Sequence, residues 1–179
     1  MSELFSENTT ILYEGVPTAF YIGILVVFCM VAILLLSLCG MKKGVRLSVR
    51  FLLIEYVSLL LASTVFFRQE SPAWVHRFSP FWSYSEILNG GKELIVDNVL
   101  NVLVFVPVGL LMGMALGSLK WWHVLLIGLG VSLSIETLQY ALNKGCSEFD
   151  DMMHNTIGCM LGYGMYKAVA DISKCVTKI

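Results

Sequence analysis

The sequence predicts an all-α fold, a polytopic transmembrane bundle of about five membrane-spanning helices, from its composition and the spacing of its apolar runs. Hydrophobic residues make up 57% of the 179 residues, charged residues only 14%, and mean hydropathy is positive. An ordinary soluble domain is excluded. Five stretches reach the ~20 helical residues that a ~30 Å hydrocarbon core requires. They fall at 18–39, 47–67, 95–117, 121–142 and 152–170. Residues 1–179 are expected to form a single integral membrane domain, multi-pass in a cell membrane, with the lipid bilayer as its first partner. The net charge is −1, and no basic stripe is present to neutralise phosphates, so nucleic acid is set aside as a partner.

The first run follows MSELFSENTTILYEG, which carries glutamates and no Lys or Arg. It lacks the basic start of a secretory signal and is expected to be retained. The second span contains Glu55, five residues beyond Arg50, a spacing read as a local ion pair. Pro107 interrupts the hydrogen bonding of the third in mid-membrane and predicts a kink, beside the series Gly109, Gly113 and Gly117. On the fifth, Gly158 and Gly162 continue the face of Asp151, a small-xxx-small seam that lets another helix approach. All connections are short except the second-to-third, so neighbours across the short ones should run antiparallel. That long loop holds Trp74, Phe78, Phe81, Trp82 and Tyr84, an aromatic belt suited to the headgroup level.

Positive charges set the expected orientation. Lys42, Lys43, Arg46, Arg50, Lys120, Lys167, Lys174 and Lys178 mark one side as cytoplasmic, while the other keeps Arg68, Arg77, Lys92 and Lys144 among most of the acids. The N-terminus is then outside and the C-terminus inside. Of the cysteines only Cys146 faces out, so no intrachain disulfide or thiolate metal site is expected.

One residue dominates the polar inventory. Glu136 lies inside the fourth apolar stretch, where a carboxylate costs ~2.5–3.5 kcal/mol and marks a site by default. Ser132, Glu136, Gln139 and Tyr140 share one helix face, ~9 Å below the outer helix end for Glu136. With the third and fifth spans running inward, Asp97, Asn98 and Asn101 begin one and Asp150, Asp151, His154 and Asn155 the other. These groups are expected to converge on an outward-facing polar cavity. Ligand-binding candidates are therefore Asp97, Asn101, Glu136, Gln139, His154 and Asn155; catalytic candidates are Glu136, Asp150 and Asp151. Plainer uses stand beside these. Capping of free helix amides alone explains Asp97 and Asp151. Asn101, Gln139 and Asn155 serve equally well as interhelical hydrogen-bond partners, and an interfacial His154 needs no role. The structural alternative for Glu136 is costlier, because a buried carboxylate requires a proton, a cation or donors.

Four separated elements resemble the VanZ-like family of bacterial membrane proteins. They are Ser79-Pro80-Phe81-Trp82-Ser83-Tyr84, the run from Asn101 through Phe105 and Pro107 to Gly109, the run Ser134-Ile135-Glu136-Thr137-Leu138-Gln139, and Glu148-Phe149-Asp150-Asp151 leading to Asn155-Thr156-Ile157-Gly158. They occur in the family's order within a motif region of about 79–170. The resemblance implies a multi-pass protein, mostly of Gram-positive bacteria, linked to glycopeptide (teicoplanin-type) antibiotic resistance and the cell envelope. Many relatives carry an arginine before the aspartates, where this chain has Asn143-Lys144-Gly145-Cys146-Ser147. Lys144 supplies a charge there without an arginine's bidentate geometry.

Two mechanisms compete on this reading. The cavity binds an amphiphile, a lipid-linked cell-wall precursor or a lipoglycopeptide, or it is the active site of a hydrolase or transferase acting on such a precursor, with Glu136 as general acid or base. Binding ranks first, since no nucleophile stands beside a base and neither HExxH nor GxSxG occurs. A small transporter is a third reading, and a homodimer stays open with it. The sequence names no cofactor.

Overall fold

The computed structural model describes residues 43–68, 70, 76–117 and 119–176, with side chains from 46 to 172. The expected first span at 18–39 and Trp74 lie outside the described residues.

The described residues form five helices in order: α1 (Lys43–Leu61), closing in a π-turn at Ala62–Phe66; α2 (Trp82–Leu88); α3 (Glu93–Leu116); α4 (Trp121–Leu142); and α5 (Phe149–Val176). Among the described residues, three segments are long and apolar enough to cross a membrane: Arg46–Phe66, Glu93–Leu116 and Trp121–Leu142. They match the second, third and fourth expected spans to within two residues. α5 contains the fifth expected span and is 28 residues long, but it is not among the apolar three. His154, Asn155 and its glycines dilute its apolar character, and its packing shows where these residues go.

α3 and α5 run in the same direction in intimate contact. A Cβ added at Gly109 would fall on the carbonyl of Cys159; at Gly158 on that of Val102; and at Gly162 on that of Val106. Only glycine allows backbones this close. Partners rise together along both chains, which fixes the parallel sense. α4 runs against α5, with Asn155 Nδ2 donating to Ser132 Oγ at 2.9 Å and Gly128 facing Cys159. α1 runs against α3, with Arg50 Nε donating to the Ala115 carbonyl at 3.2 Å and Tyr56 Oη to that of Val104 at 2.8 Å. Arg50 thus reaches carbonyls at the α3 C-terminus, where a cation suits the helix dipole. The expected ion pair with Glu55 does not form, and Glu55 stays exposed.

The core sits between these helices around Phe105, Leu111, Met112, Met114 and Ile135. α3 continues as helix through the buried Pro107. Pro107 cannot donate to the Leu103 carbonyl, and the Tyr56 hydroxyl is bound one residue further on.

Two short strands add to the all-α expectation. β1 (His76–Arg77) pairs in parallel with β2 (Ser147–Glu148), His76 opposite Ser147 and Arg77 opposite Glu148, and a backbone bridge joins Glu70 to Lys144. The loops that follow α1 and α4 lie side by side, and their backbone groups satisfy one another. Loop and helix ends are thereby tied into one polar layer.

Candidate functional site

The polar layer gathers at the end of the bundle where α1 and α4 finish and α3 and α5 begin. Glu136, on the last two turns of α4, is 4% exposed. Its Oε2 accepts the Glu148 amide at 2.9 Å, and the Ser147 side chain adds a second hydrogen bond. Two donors from β2 therefore meet the cost of burying this group. Asp151 on α5 takes the Asn101 amide of α3 on Oδ1 at 2.6 Å, and it lies in the electrostatic field of both Glu136 and Asp97. Asp97, Asn101, Glu136 and Asp151 are thus neighbours, contributed by three helices.

Asp150 has a different position. Fully buried, it accepts from the Phe81 amide at 2.6 Å, the Ser83 amide at 2.9 Å and the Ser83 hydroxyl at 2.7 Å. Phe81 has the left-handed backbone of φ 61°, an uncommon conformation for a bulky residue. The carboxylate holds that turn and satisfies free amides at the start of α2. His154, also buried, meets the Tyr84 hydroxyl at 2.8 Å through Nε2, while its Nδ1 has no partner among the described residues. Asp150 and His154 both fasten α2 to α5.

Gln139 points to α1. Its Nε2 donates to the Thr64 carbonyl at 3.0 Å inside the π-turn, and its buried Oε1 is unpartnered. Asn155 lies one turn deeper than Asp151, bound to Ser132. The eight candidate positions reach the same end of the bundle, but they divide into a charged group around Glu136 and Asp151 and a set of clamps between elements.

Arg68 is the residue that sequence spacing missed. It lies two residues beyond the π-turn, half-buried, and acts electrostatically on Glu136, Glu148 and Asp151. Nothing in the spacing connects it with Glu136; a cation near the end of one span and an acid near the end of another, on the same expected side, were the available signal. Arg77 joins the layer too. Its Nη1 is 3.3 Å from Glu148 Oε1, and its guanidinium stacks 4.0 Å from the Trp82 ring centroid. Burial raises the Glu148 carboxyl above its ordinary value, opposed by Arg77. Burial, followed by the nearby Glu148 charge, also pushes the Cys146 thiol well up. Lys144, the expected cation, pairs instead with Glu70 at 3.3 Å on the exposed side. Arginines therefore supply the positive charge inside the layer, from the loop that follows α1. Among the described residues, no group of three His, Cys, Asp or Glu side chains is placed to hold a metal ion.

An apolar rim adjoins this layer. Phe78, Phe81, Tyr84 and Leu88 are all strongly exposed on and before α2, and the Tyr140 ring lies 6.1 Å from Phe78. Trp82, expected with them in the belt, turns inward beneath Arg77.

A family model described as VanZ/LLP1 matches residues 18–170. No curated protein and no solved structure matches the chain.

Proposed function

The chain belongs to the VanZ/LLP1 family, and on that basis we propose that it contributes to glycopeptide resistance of the teicoplanin type, or to cell-envelope homeostasis, by binding the headgroup of an amphiphile at the polar end of its bundle. A lipid-linked cell-wall precursor or a lipoglycopeptide has the required two parts. Its polar portion would meet Arg68, Glu136 and Asp151, and its apolar portion the exposed aromatics of α2. In this reading the helices cross the membrane five times with the N-terminus outside, so the layer faces the external leaflet.

The observation that carries the proposal is the grouping of Arg68, Glu136, Glu148 and Asp151 beside the exposed aromatic face of α2. Acids alone would repel anionic headgroups; Arg77 offsets Glu148, and Arg68 adds a positive charge among the remaining acids. Binding is favoured over proton transfer because Glu136 already holds the Glu148 amide and the Ser147 side chain. Cells producing the wild-type chain should tolerate more teicoplanin than cells producing Glu136→Gln or Asp151→Asn at equal membrane abundance. Equal tolerance across all of these strains and an empty-vector strain would sink the proposal.

A further inference from the structure

We infer that Arg68 is the anion-recognising element of this site, that the group it takes is the phosphate of a lipid headgroup, and that Gly145 is the residue that positions it. The inference rests on the binding reading above and gives it a chemical class.

Donor accounting singles out Arg68. Each acid around it already has a donor: Glu136 has the Glu148 amide, Glu148 has Arg77, and Asp151 has Asn101. Arg77 is itself engaged, with Glu148 on its fork and Trp82 under its plane. Among the described residues, Arg68 makes no hydrogen bond and no ion pair within 4.0 Å, although it is only half-exposed. A guanidinium carries five N–H donors in a fixed planar fork. None of the Arg68 nitrogens is among the buried donors left without a partner, so the fork is open to the surroundings and free to take an acceptor that offers two oxygens.

The seat of this side chain is built into the opposite loop. Gly145 has φ +75°, and a Cβ there would stand 2.6 Å from Arg68 Nε, 2.7 Å from Cδ and 2.9 Å from Cζ. The Arg68 side chain therefore occupies the space that a Cβ at Gly145 would fill. Both the positive φ and the missing Cβ are needed at this position. A second anchor is the π-turn before Arg68, whose Thr64 carbonyl is held by Gln139. Wide turns of this kind recur at functional sites.

A phosphate ester suits the surroundings better than a carboxylate. Two of its oxygens can take the planar fork, and the remaining headgroup can carry hydroxyls toward the acids. The exposed Phe78, Phe81, Tyr84 and Leu88 provide apolar surface for the attached chains. Arginine suits such bidentate recognition, whereas a lysine in its place would keep the charge and lose the fork.

The test uses the full chain, purified in a mild detergent, with lipid retention read by native mass spectrometry. The probes are phosphatidylglycerol, an uncharged diglucosyl diacylglycerol and inorganic phosphate. Wild type should retain phosphatidylglycerol at least about tenfold better than Arg68→Ala or Gly145→Ala, the loss expected for a charged bidentate contact. Arg68→Lys should fall between them, and the exposed Lys120→Ala at the other end of the bundle should match wild type. All variants should bind the glycolipid equally, which also reports that they are folded. Unchanged phosphatidylglycerol retention in Arg68→Ala, or equal wild-type retention of both lipids, would overturn the inference. Displacement of the lipid by millimolar inorganic phosphate would overturn the lipid assignment and leave a free-phosphate site. Teicoplanin tolerance of the same strains separates the two levels. Retention lost with tolerance unchanged removes the resistance reading alone; retention unchanged with tolerance lost in Glu136→Gln removes the Arg68 inference alone.

Discussion

The seam between α3 and α5 and the polar layer above it solve the same problem, holding helices together in lipid, with opposite chemistry. The seam uses what is missing. Gly109, Gly158 and Gly162 bring backbone within reach of backbone, so its strength lies in dispersion contacts spread over two helices. The layer uses individual donors and acceptors. Asp150, Glu136, Gln139 and His154 each connect one named atom to another across different elements. Steric change should therefore be catastrophic in the first region, and polar change graded in the second.

The largest expected effect tests the seam. Gly158→Leu drives a side chain into the Val102 carbonyl and the Phe105 side chain, and backbone cannot yield as a flexible side chain can. The loss should exceed ~3 kcal/mol, the upper end for overpacking. Membrane abundance and thermal unfolding in detergent would check it. A Gly158→Leu protein that accumulates and melts like wild type would show that the seam is looser than its geometry.

Asp150→Ala should come next. It removes the acceptor of the Phe81 and Ser83 amides and leaves the left-handed Phe81 turn without its partner. A cost of ~3 kcal/mol is expected for orphaning buried donors, together with faster proteolysis within residues 76–92. Tyr84→Phe removes one contact to His154 from the same helix. Its cost should be ~0.6 kcal/mol, the average for a polar contact between membrane helices. If the two variants lose equal stability, α2 is not held chiefly by its carboxylate clamp.

Much of the seam was legible in the sequence, and the reason is periodic. Apolar runs located three spans to within two residues, and glycines four apart marked the face that packs. The parallel sense of α3 and α5 followed from connection lengths. Glu136 was legible by its cost in an apolar run. Arg68 was not, because its partners come from loops whose pairing depends on β1 meeting β2, and two-residue strands leave no periodic trace. Lys144 was expected to supply the charge in the loop before the aspartates, and its pairing with Glu70 depends on the same loop-to-loop contact. Composition predicted an apolar fifth span, whereas the N-terminal half of α5 spends its polar residues on α2, α3 and α4.

The finest comparison is between two ion pairs of similar length, one inside the layer and one at its exposed edge. Lys144 and Glu70 are 3.3 Å apart, but the Glu70 side chain is 76% exposed; Arg77 and Glu148 are also 3.3 Å apart, with Glu148 only 16% exposed. Water screens the first pair, so Lys144→Ala should change stability by less than ~0.5 kcal/mol. Arg77→Ala should cost ~2 kcal/mol at neutral pH, since it leaves a largely buried carboxylate without its cation. The pH dependence follows from the direction of the Glu148 shift. Burial raises the folded carboxyl above the ordinary 4.5, and loss of Arg77 removes an opposing influence. The protonated form is then the one the fold prefers, so stability is retained at low pH and lost as pH rises through the shifted value. The penalty of Arg77→Ala should therefore be smaller at pH 5 than at pH 7.5, whereas that of Lys144→Ala stays near zero at both. Melting curves of the two variants at those pH values would separate them. Equal, pH-independent penalties would mean that burial makes no difference between the pairs, and the contrast between a structured layer and a solvated surface would fail at its smallest scale.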